Sequence, residues 1–297
     1  MHRHQQHRQQ QALPEKNHSA ILGKTKTTAS TKKTQRAKSQ LSHKLTCALP
    51  PKYWEGGFST VRAHHASVVK TFNPNEEHAF LLWKNEVEAL HACRTIANVP
   101  RLLTCRCDLK RSAFTIKMTR CAGHPLDYLY ESSAIAIDDA LILTIAYHTL
   151  LILRDMHALS ICHYDIKLEN IMYHVPHALV SLIDFGFCKR GLLTSYKGTE
   201  HYVAPEILDA SIPFPKGGPP CDIYALGCVL YYLMCMANHC YNPSGSPTRS
   251  FPWSTTASPR IAFLSLAIKQ MLGHAEERPN AAALASRCAE FLRNSPF

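Results

Sequence analysis

The stretch His163-Tyr164-Asp165-Ile166-Lys167-Leu168-Glu169-Asn170 decides the fold of this chain, and Asp184-Phe185-Gly186 begins fourteen residues past its last member. The aspartates Asp165 and Asp184 supply two carboxylates, Lys167 an ammonium group and Asn170 a neutral amide oxygen. A positioned carboxylate can orient a hydroxyl group and accept its proton. Carboxylate and amide oxygens are also the ligands that a hard cation such as Mg²⁺ prefers. The pattern therefore predicts an active site built around these two segments.

Three later motifs keep a fixed order and spacing behind this pair. The nonamer Gly198-Thr199-Glu200-His201-Tyr202-Val203-Ala204-Pro205-Glu206 follows, then Asp222 in Cys-Asp-Ile-Tyr-Ala-Leu-Gly, and then Arg278 in Glu-Arg-Pro. Over residues 53–292 the set resembles the eukaryotic-type protein kinases, serine/threonine branch. The resemblance implies an α+β, bilobal fold, with a small strand-rich N-lobe at about 50–119 and a larger helical C-lobe at about 123–293. The compact domain would suit a divergent or a viral kinase.

The resemblance assigns a role to each residue of the catalytic segments. Asp165 would orient the attacking hydroxyl and accept its proton, and Lys167 would contact the γ-phosphate. Asn170 and Asp184 would bind magnesium. The expected reaction is transfer of the γ-phosphate of ATP to serine or threonine hydroxyls of protein substrates, with ATP and Mg²⁺ as cofactors. Lys167, taken with Thr199, is typical of the serine/threonine branch.

Two residues of the N-terminal half complete this set by resemblance. Lys70, in Val-Val-Lys-Thr-Phe, would bind the α- and β-phosphates, and Glu86 would hold that lysine from a helix. Glu88 competes for the same role. Residues two apart on a helix face different directions, so only one of the two can serve. The family wording Glu-Val-x-x-Leu favours Glu86.

The predicted phosphate-covering loop, Trp54-Glu-Gly-Gly-Phe-Ser-Thr-Val61, departs from the family pattern G-x-G-x-x-G-x-V. Of the three glycines it keeps the central one, and Trp54 and Ser59 occupy the other two positions. Glycine allows backbone amides to approach phosphate closely, so we expect a looser grip on ATP. The candidate nucleotide contacts in this loop are Gly56, Gly57, Phe58, Ser59 and Val61. By the same alignment Met118 guards the back of the adenine pocket, and the backbone from Thr119 to Cys121 reads the adenine edge.

A second departure is Tyr164, where most of the family has an arginine that pairs with a phosphate on the activation segment. A tyrosine cannot make that charge-assisted bond. The segment from Asp184 to Glu206 is also short, so we expect activity without its phosphorylation. The resemblance further predicts a buried ion pair between Glu206 and Arg278, and bonds from Asp222 to the catalytic loop.

Three alternative functions differ in class. A pseudokinase, acting as an interaction module without turnover, is favoured by the altered glycine loop and by Tyr164, and opposed by Lys70, Asp165, Asn170 and Asp184. A small-molecule kinase shares the His-x-Asp-x-x-x-x-Asn loop but lacks the Gly-Thr-x-x-Tyr-x-Ala-Pro-Glu stretch found here. Nucleic-acid binding through a basic N-terminal segment has no aromatic interleaving to support it.

That N-terminal segment, residues 1–49, carries ten Lys/Arg and one acidic residue, whereas the whole 297-residue chain has a net charge of +11. With few large apolar residues it is predicted to be a disordered basic tail ahead of a kinase domain at 50–293. The tail would contact a polyanion or an import receptor, or would simply be solvated. We expect no membrane span and no secretory signal, hence reduced cysteines and an intracellular location in the cytoplasm, the nucleus or both.

Hydrophobic periodicity gives a coarse order of elements. Strands are predicted at 68–72, 113–118, 171–173 and 180–183, and helices at 79–92, 138–158, 222–237, 262–272 and 281–292. A surface loop is predicted at 238–258, which is rich in proline, serine and threonine.

Overall fold

The computed structural model of this chain describes residues 53–55, 58–75, 78–238, 247–248 and 250–294. A five-stranded sheet with one packed helix forms the N-terminal lobe, and a mainly helical lobe follows it. The α+β, bilobal architecture expected from the sequence is therefore confirmed. The predicted tail at 1–49 lies outside the described residues, and so do Gly56 and Gly57.

The N-lobe sheet is antiparallel, with strand order β1-β2-β3-β5-β4. Its strands are β1 (Tyr53–Glu55), β2 (Ser59–Ala63), β3 (Ser67–Phe72), β4 (Leu102–Asp108) and β5 (Ala113–Thr119). Alternate residues of a strand share a face, and in β3 the buried pair is Lys70 and Phe72. In the register, Lys70 lies opposite Val61 of β2 and Ile116 of β5. The sheet thus holds a lysine on its inner face.

Helix α1 (Ala79–Ala92) packs on this sheet with a buried face made of Ala79, Leu82, Glu86, Ala89 and Leu90. The spacing of three to four residues is that of one helix face. Glu86 therefore faces inward, toward Lys70. Glu88 lies on the exposed face, where its carboxylate is 3.8 Å from Lys84, so the structure distinguishes the two candidates.

The C-lobe is built around helices that were mostly expected from periodicity. Its helices are α2 (Leu126–Glu131), α3 (Asp139–Ala158), α4 (Pro205–Leu208), α5 (Pro219–Ala237), α6 (Pro259–Met271) and α7 (Ala281–Asn294). Among the described residues, α5 alone is long and apolar enough to cross a membrane, yet 78% of that apolar window is buried inside the protein. A helix that is apolar all round belongs in a core, and its surroundings here account for its composition.

Short strands of the C-lobe carry the chemistry-bearing segments. They are β6 (His124–Pro125), β7 (Ile161–Cys162), β8 (Ile171–His174), β9 (Leu179–Leu182) and β10 (Lys189–Arg190). The hairpin β8–β9 begins directly after Asn170 and ends just before Asp184. It therefore brings these two residues together, although fourteen positions separate them. The described part of 238–258 has no helix or strand, in agreement with the predicted loop.

Candidate active site

The catalytic loop between β7 and β8 is closed on itself by hydrogen bonds to Asp165. The Asn170 amide nitrogen donates to the backbone oxygen of Asp165 at 2.8 Å and to its Oδ2 at 2.9 Å. Lys167 Nζ lies 3.2 Å from the same Oδ2. Residues Leu168–Asn170 form a 3-10 turn, which returns Asn170 to the start of the loop. Three of the predicted site residues therefore form one rigid group.

Thr199 joins this group from the segment that follows Asp184. The Lys167 ammonium donates to Thr199 Oγ1 at 2.9 Å, and that hydroxyl donates in turn to Asp165 Oδ1 at 2.7 Å. Both oxygens of the Asp165 carboxylate are thus bound by side chains around it. A carboxylate held in this way is fixed in orientation.

The buried carboxylate of Asp222 anchors the same loop from α5. It accepts hydrogen bonds from the backbone N–H groups of His163 and Tyr164, each at 2.8 Å. The expected link from Asp222 to the catalytic loop is present. His157 Nε2 is a further partner at 2.9 Å, which the sequence did not suggest. Cys162 lies beside these two residues, and the atoms of His157, Cys162 and Asp222 that could bind a metal are within 4.8 Å of one another. Because both Asp222 oxygens already accept bonds from the backbone, we interpret the three residues as an anchor of the loop.

The N-lobe contributes Lys70, whose ammonium lies between two carboxylates. Its Nζ is 2.8 Å from Glu86 Oε2 and 2.7 Å from Asp184 Oδ1. The predicted pairing of Lys70 with Glu86 is therefore present. Glu86 is 1% exposed, whereas the Asp184 side chain is 45% exposed toward the cleft. Asn85 on α1 adds a bond from its amide nitrogen to the Gly186 carbonyl at 3.4 Å.

One ammonium between two carboxylates separates their pKa values. Burial raises the pKa of Glu86 to about 7, with the neighbouring Asp184 charge adding to the rise and Lys70 opposing it. For Asp184, desolvation opposes ionisation, but the charge and hydrogen bond of Lys70 prevail and lower its pKa to about 2. Burial acts to lower the pKa of Lys70, but Asp184 and Glu86 together raise it well above its ordinary value. The arrangement therefore favours the charged forms of Asp184 and Lys70 and acts against ionisation of Glu86.

The oxygen atoms left over around Asp184 suit a magnesium ion. Asn170 uses its amide nitrogen on Asp165, which leaves its amide oxygen for a cation. Lys70 and the Gly186 N–H both contact Oδ1 of Asp184, at 2.7 and 3.3 Å, which leaves Oδ2. An amide oxygen and an ionised carboxylate oxygen are ligands that Mg²⁺ takes. The two residues predicted as metal ligands thus fit that ion chemically.

One cleft between the lobes is lined by six of the predicted site residues, Phe58, Ser59, Lys70, Asp165, Lys167 and Asp184, and also by Phe72, Leu82, Gly186, Phe187, Gly198 and Thr199. Phe58 extends over it from the start of β2, and its ring meets that of Phe187 edge-on at 6.0 Å. Val61 lies further along β2, opposite Lys70. Of the described part of the predicted loop, Phe58 and Ser59 therefore line the cleft that holds the charged groups.

The predicted adenine-reading strand shows which of its groups are already bound. Met118 is buried at the end of β5, opposite Val68 of β3. The Thr119 N–H donates to the Arg101 carbonyl at 2.9 Å and the Arg120 N–H to the Ala66 carbonyl at 3.2 Å. The N–H of Cys121 has no such partner within the described residues. Cys121 is therefore the position of the three whose amide remains for a ligand.

The far end of the segment after Asp184 is held by the predicted ion pair. Arg278 Nη1 and Nη2 donate to the two carboxylate oxygens of Glu206 at 2.5 and 2.9 Å. Arg278 also donates to the carbonyls of Gly273 and Pro220. Burial opposes ionisation of Glu206, but the bonds from Arg278 prevail and lower its pKa. A bidentate, largely buried pair of this kind fixes the geometry of both partners.

Comparison with known proteins agrees with this geometry. The protein kinase domain family matches residues 55–294, and this chain belongs to that family. It is 34% identical over 117 residues to serine/threonine-protein kinase ppk25 of Schizosaccharomyces pombe, covering 38% of this chain and 26% of that protein. It is 38% identical over 86 residues to MAP kinase-activated protein kinase 2 of Homo sapiens, covering 27% and 20%. The corresponding Drosophila melanogaster protein is 41% identical over 87 residues, covering 27% and 23%.

The matched regions thus span about a quarter of each relative's length or less. The similarity to kinases of the serine/threonine branch, first recognised from motifs, is confirmed. Members of this family generally use ATP and Mg²⁺, and they act on protein substrates.

Proposed function

We propose that this chain is an ATP-dependent kinase that transfers the γ-phosphate of ATP to serine and threonine hydroxyls of protein substrates. The proposal rests on the observation that two groups of charged and polar residues lie at the same cleft. The first is Lys70 with Glu86 and Asp184, and the second is Asp165 with Lys167 and Asn170. Each group alone occurs in many proteins, and their placement on facing sides of one cleft is what phosphoryl transfer needs.

Asp165 acts as the acceptor for the substrate hydroxyl. Its carboxylate is fixed by Thr199 and Asn170, so a hydroxyl entering the cleft meets an oriented acceptor for its proton. Lys167, 3.2 Å from that carboxylate, places a positive charge where negative charge accumulates on the transferred phosphoryl group. Lys70 contacts the α- and β-phosphates from the opposite lobe. Asn170 and Asp184 would hold magnesium, which offsets phosphate charge when it is bound.

A pseudokinase remains the second candidate because of the loop that covers the cleft. In the sequence, Trp54 and Ser59 occupy positions where the family pattern has glycine, the residue that lets backbone amides come close to phosphate. Such a protein would hold nucleotide weakly or without turnover. The complete charged groups favour the active enzyme over this alternative.

A serine-, threonine- and tyrosine-containing peptide array tests the proposal. We expect the full chain with Mg²⁺ and ATP labelled in the γ-phosphate to label serine and threonine peptides and to leave tyrosine peptides unlabelled. Labelling confined to tyrosine would contradict the proposed acceptor. An absence of labelling above that of the Asp165→Asn variant would support the pseudokinase.

For the basic tail and the location in the cell we propose what the composition suggests. Residues 1–49 would contact a polyanion or an import receptor, and the protein would lie in the cytoplasm, the nucleus or both. Deleting 1–49 from a fluorescently tagged chain should shift its distribution and leave its melting temperature and peptide phosphorylation nearly unchanged. A loss of many degrees in melting temperature would show that the tail packs on the domain.

A further inference from the structure

Tyr164, the residue that departs from the family pattern, sits at the junction of the catalytic loop and the segment 184–206. It precedes Asp165 directly and adopts the left-handed backbone conformation, with φ of +61°. Two backbone bonds to Asp222 hold this turn of the chain. The tyrosine ring is 7% exposed and packs in a separate apolar cluster with Cys162, Leu193, Ala204, Ile207 and Cys221.

The tyrosine hydroxyl binds the beginning of the segment. It donates to the carbonyl oxygen of Gly191 at 2.8 Å. The N–H of the same glycine donates to the Ser160 carbonyl at 3.1 Å, next to the paired strands β7 and β10. Both polar backbone groups of Gly191 are therefore bound to the stretch that leads into Asp165. The Tyr164 side chain thus adds one hydrogen bond next to the backbone bonds that pair β7 with β10.

Tyr164 also lies near the middle and the end of the segment. Gly198 lies so close that a Cβ placed on it would be 3.4 Å from the Tyr164 backbone oxygen. Ala204 and Ile207, which flank Glu206, pack in the cluster around the ring. Tyr164 thus binds Gly191 through its hydroxyl, its backbone lies beside Gly198, and its ring shares a buried cluster with the anchored end of the segment. Thr199, which binds Asp165, lies between Gly198 and that end.

We propose that Tyr164 is a positioning residue, which holds the segment 184–206 in the arrangement that places Thr199 on Asp165 without any phosphate on the segment. The inference rests on the proposed kinase function. A buried arginine in this place would be an unpaired cation until an anion arrived. A phenol is neutral, and its one donor is satisfied by Gly191. The assembled state is therefore complete in the protein as synthesised.

The variant Tyr164→Phe tests this, because it keeps the ring in the cluster and removes the bond to Gly191. We expect the KM for a peptide substrate to rise about fivefold to tenfold, the effect of losing one buried hydrogen bond. The KM for ATP should change less than about twofold, since the nucleotide side of the cleft is untouched. Amide hydrogen exchange at residues 189–193 should accelerate, with exchange in α5 unchanged.

Tyr173→Phe is the matched control, since Tyr173 is a buried tyrosine on β8, away from this segment, and should alter none of these values. The exchange measurement needs no catalysis, so it tests the positioning role even if the chain does not turn over. Unchanged peptide KM and unchanged exchange at 189–193 in Tyr164→Phe would overturn the proposal.

Phosphatase treatment of the wild type gives an independent test, which also serves if Tyr164→Phe does not fold. Lys189 Nζ lies 3.0 Å from Thr194 Oγ1, so a cation near a possible phosphate site does exist. We expect phosphatase treatment, and the triple change Thr194→Ala, Ser195→Ala and Tyr196→Phe, to lower the rate less than about tenfold, because exposed pairs contribute little. After phosphatase treatment and in the triple variant, the amide hydrogen of Leu193 should still exchange slowly with solvent. A loss on the order of a hundredfold, or fast exchange at Leu193, would overturn the proposal.

Discussion

The Thr199 hydroxyl donates a hydrogen bond of 2.7 Å to Oδ1 of Asp165, across 34 positions of sequence. The bond links the anchored segment that ends in Glu206 to the carboxylate that would accept the substrate proton. Lys167 binds the same hydroxyl at 2.9 Å, so the three side chains form one chain of bonds. The orientation of Asp165 therefore depends on the conformation of a segment far along the sequence.

Replacing Thr199 tests this dependence. Thr199→Val removes the hydroxyl with little change of shape and should lower kcat about tenfold or more, because a bond to a charged carboxylate is lost. Thr199→Ser keeps the hydroxyl and should retain most of the activity. The measurement is the initial rate on a peptide at saturating ATP. Equal rates for the valine and wild-type proteins would show that the bond does not orient Asp165 for catalysis.

Magnesium dependence of nucleotide binding tests the roles of Asp184 and Asn170. Calorimetric titration of the wild type should give tighter ATP binding with Mg²⁺ than without it. In Asp184→Ala, transfer should be abolished and the gain in affinity from Mg²⁺ lost, since a carboxylate ligand is missing. The surface variant Asp155→Ala is the control and should behave like the wild type. Equal wild-type affinity with and without Mg²⁺ would contradict the proposed metal site.

The raised pKa of Glu86 predicts that ionisation of this carboxyl group destabilises the folded protein as the pH rises. Its pKa is about 7 in the folded protein against an ordinary value of 4.5. Between these values the folded state binds more protons than the unfolded state, so this group's contribution to stability falls as the pH rises. Glu86→Gln cannot ionise. Relative to the wild type, the free energy of unfolding of this variant should therefore rise by roughly 3 kcal/mol between pH 4.5 and pH 7.5.

Denaturant unfolding at several pH values measures this difference. Glu88→Gln, two residues away on the exposed face of α1, should show no comparable pH-dependent gain. A difference between Glu86→Gln and the wild type that is constant over this pH range would mean that Glu86 is ionised throughout, as a simple partner of Lys70.

The ion pair between Glu206 and Arg278 predicts a large effect on stability. Removing one partner of a buried pair leaves the other charge uncompensated, which costs about 3–5 kcal/mol. Arg278→Met should therefore lower the free energy of unfolding by about that amount, and adding Glu206→Gln should recover part of it. Arg154→Met, on an exposed pair with the adjacent Asp155, should cost little. A loss below 1 kcal/mol in Arg278→Met would contradict a buried, structurally important pair.

Much of the architecture was predictable because periodicity and motif spacing report local structure. Helix α1 coincides with its prediction at 79–92, and α3 differs by one residue at its start. The predicted starts of α5 and α6 are each three residues late, because both helices begin with proline, which suits the first turn. At α6 the Ser258 side chain caps the helix by accepting from Ile261 N–H at 3.1 Å.

Other elements had no sequence signal to find. Strand β4 was missed because nearly all its residues are exposed, so no alternation of apolar and polar residues marks it. Strands β1 and β2 were also not predicted, and they lie on either side of the altered glycine positions. The bonds from His157 to Asp222 and from Tyr164 to Gly191 join residues 65 and 27 positions apart, and tertiary packing alone brings them together. The family motifs predicted a set of site residues whose roles stay predictions, and they gave no indication of the bond that Tyr164 makes to Gly191.

The most direct test of the account is the turnover of Asp165→Asn on a serine or threonine peptide, compared with the wild type and with the surface variant Asp155→Asn. Because asparagine keeps the size of the side chain and removes the acceptor of the substrate proton, we predict an intact fold, retained ATP binding and a turnover lower by at least about two orders of magnitude. Asp155→Asn should match the wild type. Peptide phosphorylation by Asp165→Asn at the wild-type rate would contradict the assignment of Asp165 and, with it, the proposed active site.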